Sequence, residues 1–347
     1  MKLALLVPAP FDAISGGYIY DRRMVEGLRA LDHEVQVIEL AGRHPLPDAE
    51  AEAAARAALD AVPADTLIIV DGLGLPAFLP VEDALAARRA VGLIHHPTAL
   101  ETGFPETGRA ALRQREQALF PKLARLIATS PLTARQLPDG FGVDPARVAV
   151  VEPGTDPVPR AAGSGGPGCA ILSVGTLVPR KGHDVLLRAL GRLTDLDWHL
   201  TIAGGAGDPV HARGLTALAE ELAIGQRVTF AGAVDAPALR ALYHRSDLFA
   251  LATHWEGYGM VVAEAMAHGL PLALTGGGAV AELAPTGSAI IAAPGDHNSL
   301  SRGMRRPIFD LAIRSMMAEA AWQGGQALPR WTDRAQAFAT ALASDPS

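Results

Sequence analysis

Short apolar runs alternate with longer stretches of helical periodicity along the whole chain, the pattern of βαβ units around parallel sheets buried on both faces. In the first half the runs predict strands at residues 2–7, 34–39, 66–70, 90–94, 125–128 and 147–151. Between the first two, residues 18–31 (YIYDRRMVEGLRAL) carry apolar side chains near helical spacing behind the pair Gly16 and Gly17. That reads as a strand, a glycine-bearing loop and a helix. Residues 152–168 are rich in proline and glycine with few large apolar side chains, so they cannot pack as a regular element and mark a domain boundary. The pattern then restarts, with strands predicted at 169–174, 199–203, 228–231, 248–252, 271–274 and 289–292. Residues 301–342 read as helices broken near Pro307 and Pro329. The expected organisation is an α/β protein with one domain over 1–155, a linker over 156–168, a second domain over 169–310, and C-terminal helices over 311–347 that cap the second domain or cross back to the first.

The bulk numbers agree with that picture. A chain of 347 residues exceeds the size at which one hydrophobic core usually stops growing. With 49% hydrophobic and 19% charged residues it has the material for sizeable cores. The formal charge of −7 supplies no overall field toward nucleic acid. A single cysteine, Cys169, excludes an intrachain disulfide and any cysteine cluster for a metal, and fits a reducing, cytoplasmic setting. The apolar run at 3–7 is too short for a signal-peptide core, and nowhere do 18 or so uncharged apolar residues run together. A soluble protein is expected.

One motif misleads. Gly163, Gly165 and Gly168 match G-x-G-x-x-G letter for letter, but they precede a predicted strand instead of following one and opening a helix, so they read as linker. The loop after the first strand, PAPFDAISGG, lacks the fingerprint too, which disfavours a nicotinamide-dependent oxidoreductase.

The segment EGYGMVVAEAMAHGLP, from Glu256 to Pro271, directly follows a predicted strand. Gly257 and Gly259 flank Tyr258 at the strand-to-helix turn, where a backbone stripped of side chains can approach a ligand and the helix N-terminus offers N–H groups to an anion such as a diphosphate. Gly269 and Pro271 end the helix, so Glu264 lies within its first two turns near the same crevice. A second strand-to-helix turn, VGTLVPRKGHD, places Arg180 and Lys181 where cations neutralise a leaving diphosphate. In the first half, His95 and His96 end the strand at 90–94, and no third histidine stands at zinc-ligand spacing.

Two glutamates seven residues apart in this context resemble the E-x7-E motif of family 4 of the GT-B glycosyltransferases. The resemblance implies two facing Rossmann-like domains, the first binding a hydroxyl acceptor and the second a UDP- or GDP-sugar. It implies that Glu256 lies against the transferred hexose, that Glu264 holds the ribose hydroxyls, and that Lys181 stabilises the diphosphate. Thr176 stands where the family has a second cation, and Arg180 is the substitute. The pair His95 and His96 implies one sugar-side histidine, either of the two with His95 slightly favoured; Gly16 and Gly17 imply a loop approaching phosphate or acceptor; residues 228–234, ending at Val234, the main-chain edge that reads the base; and Glu282 a position at the rim. The implied reaction retains anomeric configuration and requires no cofactor or metal. An epimerase or phosphorylase of the same fold and a non-catalytic nucleotide-sugar-binding protein are the alternatives. The stretch 108–125, with Arg109, Arg113, Arg115, Lys122 and Arg125 among leucines, hints at weak association with the inner membrane surface, but Pro121 interrupts it and Glu116 dilutes its charge, so a solvated face on a core-packed helix is the stronger reading.

Overall fold

The computed structural model describes residues 1–101 and 103–344, which form two compact units. Met1–Gly154 with Pro329–Ser347 make the first, and Thr155–Leu328 the second.

In the first unit, β1 (Lys2–Pro8), α1 (Gly16–Ala30), β2 (Glu34–Leu40), α2 (Ala49–Ala61), β3 (Leu67–Asp71), α3 (Glu82–Ala87), β4 (Val91–Ile94), α4 (Glu106–Leu119), β5 (Arg125–Ala128), α5 (Pro131–Phe141) and β6 (Val148–Val150) succeed one another. The six strands form one sheet in the order β2-β1-β3-β4-β5-β6, every pairing parallel. The central strands are buried on both faces, as Leu6, Ile68 and Ile94 on one side and Leu5, Ile69 and Leu93 on the other show, because helices cover each side. Strand order reverses between β1 and β3, where a crevice opens at the carboxyl ends.

The second unit repeats the plan with β7 (Cys169–Val174), α6 (His183–Leu190), β8 (Trp198–Ala203), α7 (Pro209–Glu221), β9 (Val228–Gly232), α8 (Ala236–His244), β10 (Leu248–Leu251), α9 (Met260–Ala267), β11 (Leu272–Thr275), α10 (Val280–Leu283), β12 (Ala289–Ala292), α11 (His297–Phe309) and α12 (Leu311–Ala327). Its sheet runs β12-β11-β10-β7-β8-β9, again all parallel, and reverses between β10 and β7. A final helix, α13 (Trp331–Ala343), belongs to the first unit. It packs on α1 so closely that a Cβ on Gly27 would collide with Ala335, and Phe338 and Trp331 lie edge-on to Tyr20 at centroid distances of 6.5 and 6.0 Å.

All twelve predicted strands are present, with ends shifted by a residue at most. The C-terminal helices depart from expectation at one point. The break falls at Asp310, not Pro307, which sits inside the last turn of α11. Asp310 sets it by accepting from the Ala312 and Ile313 backbone N–H groups as the N-cap of α12, a stronger start signal than a proline near a helix end.

The basic stretch at 108–125 is not a free cationic face. Arg109 pairs with Glu106, Arg115 reaches Glu52 and the Pro76 carbonyl, Lys122 bridges Glu82 and Asp83, Arg113 lies 5.5 Å over the Phe141 ring, and Arg125 donates to the Ser344 carbonyl. Each of those cations is engaged by a neighbouring carboxylate, ring or carbonyl. Among the described residues no helix is long and apolar enough to cross a membrane.

Candidate active site

Each unit gathers charged side chains where its strand order reverses. In the second unit, β7 and β10 are adjacent parallel strands, so the loops leaving their carboxyl ends meet. Gly182, at φ +62°, lets the first loop press its backbone against β10; a Cβ there would collide with the Ala252 carbonyl. The contact is locked by hydrogen bonds from the His254 N–H and the Thr253 hydroxyl to the Arg180 carbonyl, at 2.8 and 3.1 Å.

The side chains converge as a result. Lys181 Nζ lies 2.6 Å and Arg180 Nη1 3.3 Å from the same carboxylate oxygen, Oε1 of Glu256, and Thr253 Oγ1 lies 3.2 Å from it. Arg180 also donates to the Trp255 carbonyl at 2.8 Å. Glu256 is 9% exposed. Burial alone would raise its carboxyl, but Lys181 and then Arg180 outweigh it and hold Glu256 below the usual glutamate range. His183, just beyond the two cations, is buried, and burial together with Lys181 lowers it to about 3, so it is neutral and adds no charge.

Beside this cluster Gly259, at φ +99°, is the N-cap of α9, with no side chain bonded to the first helical N–H groups. A helix N-terminus left in this state carries partial positive charge and donors for an anion. Tyr258 is buried and Gly257 completes the turn. Glu264 lies one turn along α9 and accepts from the Tyr243 hydroxyl at 2.9 Å. Burial, then the charge of Glu264, raises the Tyr243 hydroxyl well above its ordinary range, so it remains a donor. Val234, beyond β9, packs partly buried against the cluster that contains Tyr243 and Val262.

In the first unit Gly16 and Gly17 are the first two residues of α1, behind the N-cap Ser15, and not loop residues ahead of the helix as the sequence suggests. The two histidines separate. His96 bonds Glu101 at 2.9 Å, whereas His95 turns its Nε2 toward two carboxylates, 3.0 Å from Asp21 Oδ1 on α1 and 3.4 Å from Asp71 Oδ2 at the end of β3. The carboxylates are 1% and 2% exposed. Burial disfavours charge on the ring, but Asp21, by charge and hydrogen bond, with Asp71 behind it, raises His95 to about 10. Thr129 and Thr133 donate to the His95 carbonyl, and buried Glu116 accepts from the Thr98 and Ala99 N–H groups, holding the loop after Pro97.

The sequence reading missed Asp21, Asp71, Thr253 and Tyr243, and it took Glu116 for a diluting surface charge. Asp21 alone carried a signal: it falls on the apolar face of α1 beside Tyr20, Met24 and Val25, an unusual place for a carboxylate.

Comparison with known proteins adds to this geometry. Residues 163–323 match the model of the family described as glycosyl transferases group 1. The D-inositol 3-phosphate glycosyltransferase of Mycobacterium sp. (strain KMS) is 37% identical over 169 residues, covering 45% of this chain and 38% of that protein. That of Mycobacterium avium (strain 104) is 35% identical over 170 residues, covering 46% and 40%. The chain thus spans about two fifths of the length of these curated relatives. Among solved structures, sucrose-phosphate synthase from Thermosynechococcus elongatus superposes with a TM-score of 0.82 at 20% identity, covering 98% of both chains. The Anabaena protein HepE, in complex with UDP and glucose, superposes with a TM-score of 0.78 at 17% identity, covering 99% of this chain and 100% of the other. These likenesses establish the GT-B fold.

Proposed function

We propose that this chain, whose residues 163–323 belong to the group 1 glycosyl transferases, moves a hexose-type sugar from a UDP- or GDP-sugar to a hydroxyl acceptor with retention of configuration. The observation that carries the proposal is the meeting of Lys181, Arg180 and Glu256 beside the uncapped N-terminus of α9, at the reversal point of the second sheet.

Two cations against one buried carboxylate leave a surplus of positive charge, and an open helix N-terminus adds to it. That suits a diphosphate. Lys181 is the principal group to stabilise the charge that develops as the sugar C1–O bond to diphosphate breaks, and Arg180 supplies the second contact that Thr176 lacks. Glu256, kept ionised by its neighbours, lies against the sugar as positive charge grows at C1. The acceptor oxygen bonds to C1 on the face the diphosphate leaves, and its proton passes to the departing phosphate oxygen. Glu264, oriented by Tyr243, takes the ribose hydroxyls, and Val234 stands at the main-chain edge for the base. In the first unit, which takes the acceptor, His95 is the sugar-side histidine and Gly16 and Gly17 the place of close approach.

The reading includes no metal: Lys181, Arg180 and the helix N-terminus supply the electrostatics. The relative named above acts, by its name, on an inositol phosphate, and HepE binds UDP and glucose; their chemistry supports a nucleotide-sugar donor here.

A thermal-shift panel of UDP-, GDP- and ADP-sugars tests the donor class, followed by NMR of the anomeric proton of the product made in EDTA. Stabilisation by one nucleotide class and a product with the donor's anomeric configuration are expected. An inverted product, an epimerised donor, or activity lost to EDTA and restored by a divalent cation would count against the corresponding part of the reading.

A further inference from the structure

The first unit holds two carboxylates that the transferase reading does not use. A histidine at the end of a strand needs no carboxylate to occupy its place, yet two fully buried ones converge on a single nitrogen of His95. They come from different elements, Asp21 from α1 and Asp71 from the end of β3, and each is separately tied down. Asp71 Oδ1 accepts from the Leu73 N–H at 2.9 Å, and Asp21 is carried on the buried face of α1 with Tyr20, Met24 and Val25. Burying two carboxylates is costly unless each is matched by charge or hydrogen bonds.

The ring is fixed from other sides as well. Tyr20 meets it edge-on, with centroids 5.4 Å apart and planes at 84°, and Tyr20 is itself held by a 2.9 Å hydrogen bond to the Val151 carbonyl. Gly17 faces the ring so closely that a Cβ there would stand 3.2 Å from His95 Cδ2. Burial is the chief influence on Asp21 itself and raises its carboxyl to about 6, while the charge of Arg22 acts weakly in the other direction. Tyr18 donates to the Pro8 carbonyl and burial raises its hydroxyl to about 12, while the Arg22 guanidinium is turned to the Phe11 and Ala13 carbonyls.

We infer that Asp21 and Asp71 are positioning residues acting through His95: they fix its ring in the charged form with Nε2 turned inward, leaving Nδ1–H as a standing hydrogen-bond donor to a substrate oxygen. A neutral histidine with Nε2 bonded to a carboxylate carries its proton on that nitrogen and offers only an acceptor at Nδ1; the second proton is what makes Nδ1 a donor. Asp21 is the stronger holder because it is nearer, and Asp71 reinforces it. As a role in transfer, the inference rests on the function proposed above; as a state of the ring, it stands alone.

Nitrogen-detected NMR of the full chain, with His95→Gln assigning the signal, reads that state without substrate. The wild-type ring is expected to stay an imidazolium through about pH 8, and Asp21→Asn to lower its titration midpoint by about three pH units, from about 10 to about 7, Asp71→Asn by less. In a nucleotide-release assay at about pH 8, Asp21→Asn should lower kcat about tenfold with little change in donor KM, and the rate should recover as pH falls through the new midpoint. A wild-type ring that titrates near the ordinary 6.5 or so, or a rate loss that ignores pH, overturns the inference. If Asp21→Asn does not fold, the wild-type titration and Asp71→Asn still decide. An imidazolium in a chain that releases nucleotide from no donor refutes the transferase reading and leaves the ring assignment standing.

Discussion

The two sheets carry charge clusters of opposite sense at equivalent places. Where the first sheet reverses, one histidine sits between two buried carboxylates; where the second reverses, one buried carboxylate sits between a lysine and an arginine. Both use the crevice at the carboxyl ends of parallel strands, the ligand position common to open α/β sheets. The architecture therefore provides the place, and the side chains choose what it accepts. A surplus of cations suits a diphosphate; a surplus of anions repels one and holds a histidine charged. The same fold used twice yields unlike sites because strand ends are fixed by packing whereas loop side chains are not.

The comparison can be broken from its stronger side first. Lys181→Ala removes the nearer cation from Glu256, and nucleotide-sugar turnover is expected to fall about 10²- to 10³-fold, read as nucleotide release. A loss under threefold would show that positive charge there is not what stabilises the leaving group. Glu256→Gln should cost less, about a hundredfold in kcat, while calorimetry finds UDP or GDP affinity nearly unchanged, since the cations remain. Glu264→Ala, in the part of the second unit assigned to the nucleotide, should weaken nucleotide affinity about tenfold, about 1.4 kcal/mol, with a smaller effect on kcat. Unchanged affinity there removes the ribose assignment and leaves the diphosphate cluster intact.

The smallest effect is on stability, and it has opposite sign in the two units. His95 is raised on folding, so the stability its charge supplies is full below the ordinary histidine value and is lost as pH rises through about 10. Glu256 is lowered, so its contribution is full above the ordinary glutamate value and is lost as pH falls through its depressed one. Melting curves should show His95→Gln less stable than wild type by a few degrees near neutral pH, with the gap closing toward pH 10 or so. For Glu256→Gln the gap should close toward acid. Gaps that close in the same direction would mean that the clusters do not differ in the way described.

The legible part of the molecule was the part in which local pattern and function coincide. Short apolar runs predicted every strand, since a sheet covered on both faces demands continuous apolar stretches wherever it passes. The turn around Glu256 and Gly259 was legible because the positive φ at Gly259, where the strand gives way to the helix, calls for glycine. Arg180 and Lys181 were legible as charges at a second such turn. That they grip Glu256 was not, because 75 residues separate Lys181 from its partner and only the adjacency of β7 to β10 joins them. Pro307 misled because a proline's effect depends on where in the helix it falls, and the Asp310 cap lies a turn beyond it.

What the chain determined by itself, then, was the run of elements and the residue types at the strand-to-helix turns, which follow from short-range sterics and burial. What only the tertiary structure decided was pairing: His95 rather than His96 against buried acid, Asp21 reaching it from 74 positions away, and α13 returning to the first unit to pack behind Tyr20. Strand order brings such groups together, and strand order is a property of the folded sheet that no window of neighbouring residues contains.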